Sequence, residues 1–140
     1  MLLKPLIALS LSLFLLTGPV IADTTAPEGA AVYIISPENG AEVTSPVTVR
    51  FGLRGMGVAP AGTENPNTGH HHLLIDLDGL PDMDMPIPSD ANHKHFGGGQ
   101  TEVTLDLSPG KHSLQLLLGD LAHMPHLEPI HSEKITITVK

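Results

Sequence analysis

The sequence predicts an all-β protein, an immunoglobulin-like antiparallel β-sandwich of about seven strands. Two observations support this prediction. Apolar and polar residues alternate in several short segments that are separated by turn-forming residues, as in β-sandwich domains. No segment after residue 22 has the apolar spacing of an amphipathic helix. A small barrel is the alternative arrangement of such strands.

The first strands are marked by β-branched residues and turn signals. Residues 31–36 form a β-branched run that ends at the turn sequence 37–40, PENG. Residues 47–53 then alternate between apolar and polar side chains, which is typical of a strand with one buried face. A loop rich in Gly, Pro and Asn is predicted for residues 55–69.

The later strands carry most of the histidines. In the strand that starts at His70, His71 shares a face with Leu73 and Ile75, while His70 and His72 share the other face. Residues 79–92 are too rich in Pro, Asp and Met for a regular element. Alternation returns in three further segments, which predict the remaining strands: 101–107, 112–118 and 135–139.

Residues 1–22 have the features of a cleaved signal peptide. Lys4 precedes an apolar run at residues 6–16, and a small-residue sequence ends at Ala22. We therefore expect a flexible leader at 23–30, a single domain at 31–140, and a periplasmic or secreted location. The sequence contains no cysteine, so we expect neither a disulfide nor a membrane anchor through a lipidated cysteine.

Charge narrows the classes of partner. Beyond residue 22 the chain has six basic and fifteen acidic residues, a net charge of about −9 with histidine neutral. Nucleic acids and anionic lipid surfaces are unfavourable partners for such a chain, whereas cations are favourable ones. We expect no nucleic-acid partner.

Nine histidines, all between His70 and His131, are the main clue to function. Neutral imidazole is a common ligand of transition metals, and alternate strand residues project to the same side. The candidate metal ligands are therefore the histidines that occur in close pairs: His70, His72, His93, His95, His123 and His126.

The remaining histidines and the methionines have simpler interpretations. His71 is expected in the core or beside the ligands, His112 in the core or a polar network, and His131 at the surface. Met83, Met85 and Met124 add thioethers, which are ligands for Cu(I) but are also ordinary packing residues. A calcium loop of aspartates is disfavoured, because the EF-hand spacing is absent.

Three segments carry a family resemblance: GHHHLLID at 69–76, HFGGGQTE at 95–102 and PGKHSLQL at 109–116, followed by Gly119-Asp120 and His123. In this order they resemble the exported bacterial domains grouped as domain of unknown function 4399. The resemblance implies a small exported β-rich domain with recurrent histidines, and no established activity.

Two functional families offer partial similarities. The His70-x-His72 pair is similar to the paired ligands of copper-zinc superoxide dismutases, although the disulfide cysteines of that family are absent here. Size, export signal and His/Met content are similar to periplasmic copper carriers. β-Sandwich folds are shared by many proteins with different functions. Neither similarity therefore assigns a function by itself.

The leading hypothesis is an exported protein that binds a transition metal, copper rather than zinc, for carriage, storage or tolerance. Its partners would be the ion and another exported metal-handling protein. Two alternatives stay open. One is a metal-free interaction module with a pH-sensitive histidine-rich face. The other is a superoxide-handling metalloenzyme, although the sequence favours a protein without enzymatic activity because no catalytic motif is present.

Overall fold

The computed structural model describes residues 24–140. The described chain contains strands and no helix. The proposed signal peptide at 1–22 lies outside the described residues. The nine strands are β1 (Ala31–Ser36), β2 (Glu42–Val43), β3 (Val47–Arg54), β4 (Gly57–Val58), β5 (Thr68–Ile75), β6 (His93–His95), β7 (Glu102–Leu105), β8 (Gly110–Gly119) and β9 (Ile135–Val139).

The strands form two sheets. The smaller sheet has the order β1-β3-β7 and is antiparallel throughout. The larger sheet has the order β2-β9-β8-β5-β4, and β6 pairs with the same edge of β5 as β4 does. The short strands β2 and β4 pair in parallel with β9 and β5, whereas all the other pairings are antiparallel.

The core lies between the two sheets. Alternate residues of β5 and β8 point inward, and they meet the inward residues of β3. The main members of this apolar cluster are Val49, Phe51, Leu73, Ile75, Leu114, Leu116, Leu118 and Ile137. With a single tyrosine and no tryptophan in the chain, aliphatic packing supplies most of this core.

The outer face of the larger sheet is also covered. Leu74 and Leu117 point away from the sandwich core and pack with Ile87 in a second, smaller apolar cluster. Ile87 belongs to the irregular segment 79–92, which therefore folds over the outer face of β5 and β8. This cover determines the surroundings of the histidines on the same face.

The predicted β-sandwich is confirmed, because two separate sheets enclose one core. The alternative of a single closed sheet is not found among the described strands. The short strands β2, β4 and β6 were not predicted, since segments of two or three residues show too little alternation to detect. The prediction of a loop at 55–69 was wrong at its ends, where β4 and the start of β5 pair in the larger sheet. Before β1, Ala26 and Ala30 pack against the core. Residues 24–140 contain no helix with the length and apolarity needed to cross a membrane.

Candidate metal centre

His70 and His72 lie on the outer face of β5 and are almost completely buried, with 1% and 0% of their surface exposed. His71, between them, points the other way and packs on Phe51, with the two ring centroids 5.2 Å apart. The alternation of a strand therefore separates one core imidazole from two imidazoles that share the outer face.

His95 reaches this face through strand pairing. β6 runs antiparallel to β5 in a register that sets His95 opposite His72, so both side chains project to the same side. Gly97 packs against the imidazole of His95: a Cβ on Gly97 would lie 2.4 Å from the ring Cε1. The absence of a side chain at residue 97 makes room for the half-buried His95 ring.

His123 reaches the same face from the loop that follows β8. Its backbone has a φ of 65°, a left-handed conformation that few residues other than glycine adopt. Asp120 stabilises this turn: its Oδ1 accepts hydrogen bonds from the N–H groups of Ala122 and Met124, and its Oδ2 accepts one from the Thr24 hydroxyl. His123 also donates its own N–H to the Asp120 carbonyl.

The four imidazoles form one cluster, which we call the four-histidine cluster: His70, His72, His95 and His123. Five of the six centroid separations lie between 4.7 and 5.1 Å, and the sixth, between His72 and His123, is 6.2 Å. Three of these rings, those of His70, His72 and His95, each offer a nitrogen within 4.8 Å of the others.

These separations can be compared with those around one metal ion. With metal–nitrogen bonds of 2.0–2.1 Å, imidazole centroids are about 5.2 Å apart in a tetrahedral site. In a square-planar site, adjacent centroids would be about 4.5 Å apart and both opposite pairs about 6.4 Å apart. The cluster has only one long separation, so its arrangement is closer to a tetrahedron.

The electrostatics of the cluster favour neutral rings. Burial lowers the pKa of His70 to about 4, and repulsion from His95 and His123 acts in the same direction. Burial, followed by repulsion from His70, His95 and His123, lowers the pKa of His72 to about 3. Burial also lowers the pKa of His95. At neutral pH these imidazoles therefore keep the lone pair that a metal ion requires.

The buried ring nitrogens of the cluster lack protein partners. Within the described chain, neither nitrogen of His70 or His72, nor Nε2 of His95, has a hydrogen-bond partner. A buried polar atom without a partner costs about 1–3 kcal/mol. One coordinate bond per ring would relieve part of this cost, so the residues present fit a bound ion.

The other two predicted ligands lie outside the cluster. His93, on β6, makes contact through its Nδ1 with Asp90 Oδ1 at 2.9 Å, and this hydrogen bond lowers the pKa of Asp90. His126 is buried after the His123 loop, and neither of its ring nitrogens has a partner in the described part of the chain. Burial lowers its pKa, against the opposing effects of the Asp120 charge and of a weak contact with the Leu118 backbone that falls outside hydrogen-bond geometry.

The three histidines that were not predicted as ligands also lie outside the cluster. His112 bonds Asp76 Oδ2 through Nδ1 and the Ser108 carbonyl through Nε2, a polar network of the kind that the sequence suggested. His131 is exposed, and its Nδ1 lies 3.1 Å from the Ser132 carbonyl. His71 belongs to the sandwich core.

Several residues that shape the cluster were not predicted from the sequence. Gly119 faces His70 across the β5–β8 ladder and packs against His72, and Asp120 positions the His123 loop. The Ile87 N–H donates to the His123 carbonyl at 2.8 Å and so ties the covering segment 79–92 to that loop. The sequence signal was the Gly-Asp pair at the end of β8, which is typical of a turn.

The comparison with known families identifies the family of this chain. The family described as domain of unknown function (DUF4399) matches residues 49–140, well over half of the chain. The chain belongs to this family. The match spans every strand from β4 to β9 and all nine histidines of this DUF4399 protein. No curated protein and no solved structure is significantly similar to the chain.

Proposed function

We propose that this DUF4399 protein is an exported, periplasmic or secreted protein that binds one transition-metal ion at the four-histidine cluster. The single observation that carries the proposal is the near-tetrahedral arrangement of four imidazole centroids, drawn from two strands and a loop. The role would be carriage, storage or tolerance, with another exported metal-handling protein as the partner that delivers or receives the ion.

Copper is the proposed metal. Imidazole ligands suit copper and zinc alike, and a near-tetrahedral site suits Cu(I) or Zn(II) better than Cu(II). Met124 directly follows His123 in the loop, and Met83 lies in the covering segment 79–92, where it packs against the apolar cluster of Leu74, Ile87 and Leu117. Thioethers are ligands for Cu(I) and are not among the usual protein ligands of Zn(II), so the presence of methionines on the two loops beside the cluster favours Cu(I).

The two alternative functions fit the geometry less well. A pH-sensitive contact face requires exposed imidazoles, whereas His70 and His72 are buried. A superoxide-handling enzyme requires an open coordination position, and ligation by all four imidazoles of the cluster would leave none. The first alternative would be favoured if binding of a protein partner, measured in the presence of a chelator, changed between acid and neutral pH. Superoxide turnover by the metal-loaded protein would favour the second.

The test compares two histidines of the same strand. We expect the four-histidine cluster of the purified protein to bind one equivalent of Cu(I) under anaerobic, reducing conditions, and His95→Ala to weaken binding at the cluster by at least about 100-fold, since even residues behind the ligands contribute 10–100-fold. His93→Ala, two residues away on β6, is the control and should bind like the wild type. Equal affinities for both variants and the wild type would refute the proposal.

Two further variants separate ligand loss from damage to the fold. His72→Ala removes a buried ring, which can also disturb the fold. Weaker metal binding by this variant counts as ligand loss only if its circular dichroism spectrum is the same as that of the wild type. His123→Asn introduces a residue type that tolerates the left-handed backbone found at residue 123. Loss of affinity in His123→Asn would therefore report the missing imidazole. Parallel titration with Zn(II) ranks the two metals directly.

A further inference from the structure

A cavity of about 200 Å³ lies between the covering segment 79–92 and the loop that follows His123. Its lining includes two methionines, Met83 and Met124, with Asp84 and His126. None of these four residues belongs to the four-histidine cluster. The cavity therefore brings together two thioethers, one imidazole and one carboxylate that are not ligands in the four-histidine cluster.

The state of the His126 side chain is the main reason to infer a ligand at this cavity. The side chain is 2% exposed, and both its ring nitrogens are buried without a hydrogen-bond partner among residues 24–140. Such an imidazole is costly unless something occupies one of its nitrogens. The side chains that share the cavity with it are thioethers, which are weak hydrogen-bond acceptors but good ligands for soft metal ions.

The backbone around the cavity is held at several points. The Met124 N–H donates to Asp120 Oδ1, and the Asp120 N–H donates to the Met124 carbonyl. Pro125 forms a bridge with Gly119, at the end of β8. On the opposite side, the Asp84 N–H donates to Asp82 Oδ1 in a local turn. Hydrogen bonds thus restrain the backbone on both sides of the cavity, more extensively around Met124 than around Met83.

The charges around the cavity favour a cation. The exposed Asp84 is part of the lining, and the negative charge of Asp120 also acts on His126. The lining residues include no lysine or arginine, and the whole chain has a net charge of −8. A monovalent soft cation satisfies both the charge and the ligand types.

We propose that Met83, Met124 and His126 form a second metal site, separate from the four-histidine cluster, which takes Cu(I) or another soft monovalent ion. Two thioethers and one imidazole provide three ligands, and no thiolate is involved. The site does not depend on the cluster, since the two share no ligand. Zn(II), whose usual protein ligands are thiolates, imidazoles and carboxylates, is a poor match for two thioethers.

The experiment uses Ag(I), a soft monovalent ion that does not change its oxidation state during the titration. The full protein is first saturated with Zn(II), and Ag(I) is then added while the methionine methyl resonances are followed by NMR. We expect the methyl signals of Met83 and Met124 to shift with one equivalent of Ag(I), and those of Met56 and Met85 to stay in place. Unmoved Met83 and Met124 signals would overturn the proposal.

Matched variants give a second measurement. The double variant Met83→Leu/Met124→Leu removes both sulfur atoms and nearly conserves side-chain volume, so the fold should be retained. We expect Ag(I) affinity at this site to fall at least about 100-fold, from the loss of two ligands. Met85→Leu removes an exposed thioether outside the cavity and should bind Ag(I) like the wild type. Equal binding by the double variant would refute the site.

The outcomes for the two sites are distinguishable. If Ag(I) shifts Met83 and Met124 while His95→Ala does not alter binding of the first metal ion, the thioether site stands and the four-histidine proposal falls. If the cluster binds Cu(I) but the double methionine variant takes up as much Ag(I) as the wild type, only the cluster stands.

Discussion

Gly119 lies directly against the His72 imidazole: a Cβ at residue 119 would stand 2.8 Å from the ring Cε1 and 3.2 Å from Nδ1. Gly119 also faces His70 across the ladder between β5 and β8. Because both rings are buried, neither can turn away freely. The missing side chain at residue 119 therefore makes space for half of the four-histidine cluster.

Gly119→Ala is expected to displace the His72 ring and weaken metal binding by tenfold or more. Overpacking a buried site costs roughly 1–3 kcal/mol, so the free energy of unfolding of the ion-free protein should fall by that amount. Isothermal titration with Cu(I) and urea unfolding would measure the two effects. Wild-type values for both would contradict the proposed packing.

Gly97→Ala is the matched comparison. Its Cβ would lie 2.4 Å from Cε1 and 2.6 Å from Nε2 of His95, but that ring is only half-buried and can move toward solvent. We expect metal affinity to fall as in Gly119→Ala, while the free energy of unfolding changes by less than about 1 kcal/mol. A large loss of stability in Gly97→Ala would mean that the His95 ring is held more firmly than its exposure indicates.

Asp120 should be the main support of His123. Asp120→Ala removes the acceptor of two backbone N–H groups, so we expect a loss of about 2–3 kcal/mol in the free energy of unfolding and a weaker metal site. Asp120→Asn keeps an acceptor oxygen at that position and should lose much less. Urea unfolding and Cu(I) titration of both variants test this. Equal losses would indicate that the charge, and not the hydrogen bonds, matters.

His71→Leu is expected to stabilise the protein. Both ring nitrogens of His71 are buried in the core without a partner in the described chain, and leucine fills a similar space with no polar atom. The gain at pH 7 should be about 1–3 kcal/mol in the free energy of unfolding. Metal stoichiometry, measured on the same sample, should not change, because His71 points away from the cluster. A destabilised variant would argue that the imidazole makes a favourable contact with Phe51.

The benefit of His71→Leu should grow in acid. Burial lowers the pKa of His71 from 6.5 to about 4, so the unfolded chain takes up its proton first as the pH falls. The contribution of the neutral ring is complete above pH 6.5 and is lost between pH 6.5 and about 4. In ion-free protein the difference between variant and wild type should widen by up to about 1.4 kcal/mol per pH unit in that interval. A difference that is constant with pH would exclude this explanation.

His112 should have the opposite pH dependence. The hydrogen bond to Asp76 raises the pKa of His112, and the Ser108 carbonyl adds to this effect. The stabilisation is therefore complete below the ordinary value of 6.5 and is lost as the pH rises through the raised value. We expect His112→Gln to destabilise the protein by about 1 kcal/mol at pH 5.5 and by less at pH 9, measured by urea unfolding. Greater destabilisation at pH 9 would contradict the ion pair.

Local alternation was sufficient to predict the sheets and the directions of the β5 histidines. A strand places successive side chains on opposite faces, so apolar Leu73 and Ile75 indicated which face of β5 was inward. That rule favoured the core or a position beside the ligands for His71, which lies in the core, and it placed His70 and His72 together on the opposite face. The same rule predicted β3, β8 and β9 to within a few residues.

The way in which the four histidines come together could not be predicted from local sequence patterns. The histidine-rich segment 93–95 could have paired in more than one register, and only the register opposite β5 sets His95 beside His72. The position of His123 depends on a left-handed backbone held by Asp120, a contact specific to this loop. The burial of His126 results from the packing of two irregular loops, for which the sequence has no periodic signal.

The hydrogen bond between the Ile87 N–H and the His123 carbonyl joins two irregular loops above the histidine-bearing face. If the cluster holds an ion, separation of these loops would move His123 away from it, so the residence time of the ion would depend on loop opening as well as on ligand strength. Tight retention and rapid hand-over are then compatible in one molecule. If the proposed function is correct, a receiving protein that breaks the hydrogen bond between Ile87 and His123 would speed release of the metal ion.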